Sequence, residues 1–141
     1  MEKTSTPTQP TGTVSLQTIA MPSDANWNGD IFGGWLASQM DLAGAVAARR
    51  RAHGRITTIA IDGMVFLHPV HVGDVVSCYT NIEHIGNTSM RIKIEVWETG
   101  DPCRPAVMLT QGLFTYVAID ADGKPRQVPP EACPVEPEAG K

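Results

Sequence analysis

No proline interrupts the chain between Gly33 and Arg51, alanine is abundant there, and most of the residues are good helix formers. The run predicts one long helix from Gly33 or Gly34 to about Arg51. Its apolar positions (Trp35, Leu36, Ala37, Met40, Leu42, Ala43, Ala45, Val46, Ala47) go nearly all the way round. A helix that is apolar on every side must be buried on every side. Gly54, after Arg49, Arg50, Arg51 and His53, is the expected stop, with cations where the helix dipole favours them. Everything after the helix reads as extended. Residues 56–67 are β-branched and large apolar, and residues 75–85 follow a Val-Gly-Asp turn. In residues 89–98, Met90, Ile92, Ile94 and Val96 alternate with Arg91, Lys93, Glu95 and Trp97. Residues 107–119 form the last run, with Gly112 as a candidate bulge, and residues 14–20 form a short first strand. Long strands joined by short turns pair antiparallel, because parallel pairs need long crossovers. The fold class is therefore α+β, an antiparallel sheet wrapped around one long central helix.

With 141 residues and a formal charge of −4, the chain has single-domain length and an acidic balance that argues against nucleic acid as its partner. Both ends read as polar, proline-bearing tails, residues 1–12 and 129–141, flanking a folded domain over residues 13–128. The N-terminus has no apolar leader core, and no run of 18 apolar residues occurs, so a cytoplasmic protein without a membrane partner is the expectation. Cys78, Cys103 and Cys133 are odd in number and make no CxxC pair; Cys78 should pack as a small hydrophobe.

The segment MPSDANWNGDIFGGWLASQMD (residues 21–41) concentrates the chemistry. Gly33 and Gly34 let backbone amides approach a ligand closely, and a helix starting there leaves its first N–H groups free at the positive end of its dipole. That arrangement can hold a developing oxyanion. Two turns on, Asp41 is a carboxylate among Met40, Leu42, Ala43 and Ala45. A carboxylate in such a setting needs a partner, and it is a candidate acid/base or nucleophile. Asn26 contributes a side-chain amide just before the helix.

That segment, with AHGR at 52–55, FLHPVHVGDVV at 66–76, GNTSM at 86–90 and EVWETG at 95–100, resembles the YciA-type acyl-CoA thioesterases of the hotdog fold. The similarity runs from about residue 16 to residue 129. It implies hydrolysis of the acyl-CoA thioester, without metal or organic cofactor, in a homo-oligomer of hotdog dimers, a hexamer built as a trimer of dimers. By the same resemblance Asp41 is the catalytic acid residue, as general base on water or as nucleophile through an anhydride. Asn26 orients the water or the carbonyl, and Gly33 and Gly34 offer amides to the thioester oxygen. Where many hotdog thioesterases carry a histidine before the glycine pair, this chain has Phe32, which removes a histidine mechanism at that position.

The substrate-binding candidates are Arg55, within the basic patch of Arg49, Arg50 and Arg51, for CoA phosphates; Thr88 and Ser89 for the pantetheine arm; and Met64 and Phe66 for the acyl pocket. His68 and His71 are expected in exposed loops. Residues 120–123 lack the later acids of a calcium loop and read as a turn, and no His/Cys cluster has metal spacing. The alternatives are a hotdog hydratase or dehydratase, which would pair a histidine with the acid although none precedes His53, and a non-catalytic acyl-CoA binding module. About 13 residues before the domain are too few for a helix-turn-helix.

Overall fold

The computed structural model describes residues 8–131. Strand β1 (Thr13–Ile19) and a 3-10 turn (Pro22–Asp24) lead to helix α1 (Gly33–Ala52). Strands β2 (Ile56–Phe66), β3 (Val75–Ile85), β4 (Ser89–Glu98) and β5 (Val107–Ala118) follow. They form one five-stranded sheet in the order β1-β3-β4-β5-β2, with every pair antiparallel. The α+β architecture expected from the sequence is present, with α1 lying across the sheet.

The core is the seam between them. Leu36, Met40, Ala43, Ala48 and Ala52 of α1 meet Val76 and Cys78 of β3, Met90, Ile92, Ile94 and Val96 of β4, and Phe114 and Tyr116 of β5. Each large apolar side chain fully removed from water here contributes about 1.5–3 kcal/mol of driving force, which is why the inward positions of β4 alternate so strictly. Cys78 is fully buried, and that burial pushes its thiol up to about 12, so it packs as the expected small hydrophobe. Cys133 lies outside the described residues.

Four local expectations are corrected. The helix is not covered all round within one chain: Leu42 is 54 % exposed. The left-handed residue that ends α1 is His53, at φ 54°, and the Gly54 N–H bonds back to the Arg49 carbonyl. Gly112 is in register with Ile94 and is no bulge; the shifts fall on β2 at Ile59 and, opposite Gly112, between Asp62 and Val65 at Gly63 (φ 64°), and on β5 at Leu109. Gly112 instead leaves room where Phe114, Met40 and the Met64 backbone converge. Finally, Glu95 and Trp97 alternate outward on β4 yet are buried. Glu95 is satisfied on that outer face by the Thr11 N–H and hydroxyl, the Trp97 indole at 2.9 Å and Lys93 Nζ at 3.2 Å. Burial opposes its ionisation, but these donors outweigh burial and hold its carboxyl below its ordinary value.

One edge of the sheet is conspicuous. β2 ends the strand order, and Ile59, Ile61, Val65 and Phe66 on it are 47–58 % exposed. A long apolar edge strand with unpaired backbone groups invites pairing with another chain.

Candidate active site

Asp41 sits in the third turn of α1, half-buried, with its side chain toward the β2–β5 end of the sheet. The Thr58 hydroxyl of β2 donates to Asp41 Oδ1 at 2.7 Å. The buried Tyr116 hydroxyl of β5 reaches the same Oδ1 at 3.2 Å and the Asp41 backbone carbonyl at 2.9 Å. Among the described residues no hydrogen bond reaches Oδ2. A carboxylate with one oxygen held by two hydroxyls and the other free can accept a proton from water or attack an electrophile with the free oxygen.

Tyr116 and Thr58 are site residues that the sequence reading missed. Burial, the Asp41 charge and the hydrogen bond to Asp41 all raise the Tyr116 phenol far above its ordinary value, so it stays a donor. Two signals could have found them: a tyrosine hydroxyl on the inward-facing set of a strand, which requires a partner, and a threonine facing the helix from β2.

The helix start lies elsewhere. Phe32 is the N-cap and supplies no side-chain cap, and no acidic residue occupies the first turn. Gly33 and Gly34 are exposed, and a Cβ at Gly34 would meet nothing within 4 Å. Asn26 is fixed in the preceding loop, where its Oδ1 accepts from the Asn28 N–H at 2.8 Å and the Asp30 N–H at 3.1 Å. The expected local turn is thus real, and it leaves the Asn26 Nδ2 as the available donor. Seven residues separate Gly34 from Asp41, about 11 Å along the axis. The structure does not bring Asp41 and the helix-start amides of the same chain to one point.

Phe66 stands against Gly33, its ring tip 3.1 Å from where a Cβ would be. Together they line a cavity of about 400 Å³ with Ile31, Leu36, Leu67 and Val70. Met64 is half-buried against the core. Arg55, Thr88 and Ser89 lie at the opposite end of α1. Arg55 Nη1 donates to the carbonyls of Asp120 and Ala121 at 3.2 and 3.0 Å, so it braces that turn. It also lines a 330 Å³ hollow with Leu42, Val46 and Arg49, while Arg49, Arg50 and His53 line another of 460 Å³. The Thr88 carbonyl receives the Ala118 N–H, and Ser89 closes the β3–β4 turn onto Gly86. His68 and His71 are exposed, and Asp120 organises a turn through Asp122 and Lys124. No group of His, Cys, Asp or Glu with metal-holding geometry occurs among the described residues.

A model of the thioesterase superfamily matches residues 28–103. The acyl-CoA thioester hydrolase YciA of Salmonella typhimurium is 53 % identical over 123 residues, covering 85 % of this chain and 92 % of that protein. The chain belongs to the YciA-type acyl-CoA thioester hydrolases. A hexameric broad-specificity acyl-coenzyme A thioesterase, solved as an aspartate-to-alanine variant, superimposes with TM-score 0.81 at 46 % identity, covering 86 % of this chain and 89 % of that one. An acyl-CoA hydrolase from Staphylococcus aureus superimposes with TM-score 0.75 at 25 % identity, covering 81 % of this chain and 70 % of that one. It has been solved with an aspartate and with a threonine each replaced by alanine. No helix among the described residues is long and apolar enough to cross a membrane.

Proposed function

We infer that this chain hydrolyses acyl-CoA thioesters to the free acid and CoA, with Asp41 as the reacting carboxylate. The observation that carries the reading is the state of Asp41: Oδ1 is engaged by Thr58 and Tyr116, and Oδ2 has no partner among the described residues. Oδ2 either takes a proton from the attacking water or itself adds to the thioester carbon. By the first route water's oxygen enters the free acid. By the second, CoA thiolate leaves as the mixed anhydride forms, and label recovered in Asp41 after one turnover in isotopic water marks that route when water opens the anhydride at the Asp41 carbonyl. The uncapped amides of Gly33 and Gly34 receive the negative charge that develops on the thioester oxygen, and Asn26 Nδ2 adds a donor beside them. Neither route needs a metal or an organic cofactor.

Because Asp41 and the helix start lie about 11 Å apart along one helix, the site is composite. A second copy added along the β2 edge, next to Thr58, brings its Asn26, Gly33 and Gly34 to this chain's Asp41. It also covers Leu42, Ile59 and Ile61. Such dimers assemble further into a hexamer, as the relatives' hexamers suggest. Phe66 and Met64 face the acyl group, Thr88 and Ser89 the pantetheine arm, and Arg55 with Arg49 and Arg50 the CoA phosphates. A cytoplasmic location fits the free thiols of Cys78 and Cys103.

The test is thiol release from acyl esters of CoA, acetyl to palmitoyl, by the wild type and Asp41→Asn. The substitution keeps shape and loses basicity, so kcat should fall by about 10²–10⁴-fold in a protein that still folds. Near-normal turnover would remove Asp41 from the chemistry.

A further inference from the structure

We propose that Tyr116 is a positioning residue for the hydrolysis, fixing Asp41 so that Oδ2 rather than Oδ1 reacts, and that Gly44 is the notch that admits it. This rests on the Asp41 reading above. The hydroxyl touches both the main chain and the side chain of Asp41, at 2.9 and 3.2 Å. That double contact ties the carboxylate's direction to the helix backbone. Thr58 fills the other accepting position of Oδ1 at 2.7 Å. An ionised carboxylate oxygen offers about two lone-pair sites, so the two hydroxyls occupy Oδ1 and leave Oδ2 as the oxygen open to water or substrate.

Gly44 supplies the independent observation. It lies mid-helix, where glycine is the least favourable residue after proline. A Cβ there would overlap the Tyr116 hydroxyl and come within 2.7 Å of Ile94 Cδ1. No other glycine of the helix meets such an obstacle: Gly34 faces open space, and Gly33 meets only the tip of the Phe66 ring. The helix thus forgoes a stabilising methyl at the one place where the methyl would displace the hydroxyl from Asp41. Burial and the neighbouring Asp41 charge raise the phenol above its ordinary value, which favours the donor form.

A merely structural tyrosine and a positioning one differ in a double-mutant cycle. Tyr116→Phe, Asp41→Asn and the double variant are assayed by thiol release, with kcat and KM separated. Losing one hydrogen bond to a charged group should lower kcat by about 10–100-fold in Tyr116→Phe, with KM within about twofold of wild type. In the Asp41→Asn background the same change should cost nothing further, because a residue acting through Asp41 has nothing left to position. An unchanged kcat in Tyr116→Phe, or a loss that simply multiplies with that of Asp41→Asn, overturns the proposal and leaves the Asp41 reading intact. A fully active Asp41→Asn overturns that reading and the proposal with it. Should Tyr116→Phe not fold, difluorotyrosine at this position in a Tyr79→Phe chain keeps the hydroxyl and alters its donor strength and acidity. It should change kcat several-fold where Asp41 is intact and leave kcat unmoved in the Asp41→Asn background. An unchanged kcat with Asp41 intact again overturns the proposal.

Discussion

The two ends of α1 are treated in opposite ways. At the C-terminal end the backbone carbonyls find partners. The His53 and Gly54 N–H groups return to the Arg49 carbonyl, and the Arg126 guanidinium donates to the carbonyls of Ala52 at 2.8 Å and Ile119 at 2.9 Å. Three arginines in the last turn complement the dipole. At the N-terminal end there is no capping side chain, no acid in the first turn and a pair of exposed glycines. An end left unsatisfied on a helix whose other end is well served is stability withheld, and the free amides become available to a substrate's oxygen. The fold is secured at one end of α1, and the proposed function puts the oxyanion site at the other.

Two substitutions sharpen that contrast. The larger effect is expected at the open end. Gly34→Asp places a carboxylate on the free amides and, in the composite site, opposite the second copy's Asp41. It competes with the oxyanion for those amides, and kcat/KM should fall by about 10–100-fold. Undiminished activity in the folded variant would break the comparison. At the closed end the effect falls on stability. Arg126→Ala removes the donors to Ala52 and Ile119 and should cost about 1.5–3 kcal/mol in chemical denaturation, with kcat unchanged below the transition. A large loss of kcat in folded Arg126→Ala would mean that the C-terminal end also serves the chemistry.

How much of this was legible in the sequence follows from distance along the chain. The candidates Asn26, Gly33–Gly34 and Asp41 are local to one segment, and the helix that follows Asn26 has a clear composition, so they could be named from the sequence as candidates. The strands could be read from alternation, and β3 and β4 fall where expected. Alternation could have marked Thr58 and Tyr116 as inward-facing hydroxyls but not as partners of Asp41, because they lie 17 and 75 residues from it and meet it only through the order that sets β2 beside β5. Gly112 was misplaced for the same reason: a glycine in a strand signals either a bulge or a close approach, and the tertiary neighbours Met40 and Met64 decide between them. The outer-face carboxylate of Glu95 is met by Thr11, 84 residues away, a contact that no alternation pattern contains. All-round apolarity of α1 does not mean all-round burial within one chain, because Leu42 stays 54 % exposed.

Each active site, on this account, takes Asn26, Gly33 and Gly34 from one chain and Asp41 from another. Subunit mixing of two inactive variants, Asn26→Ala and Asp41→Ala, tests it most directly, with exchange verified by mass. In a mixed dimer one shared site carries both lesions and the other is intact. Random pairing makes half the dimers mixed, so activity should return to roughly a quarter of wild type. If each site were built from one chain, every site in the mixture would carry a lesion. Verified exchange without recovered activity would contradict the shared site.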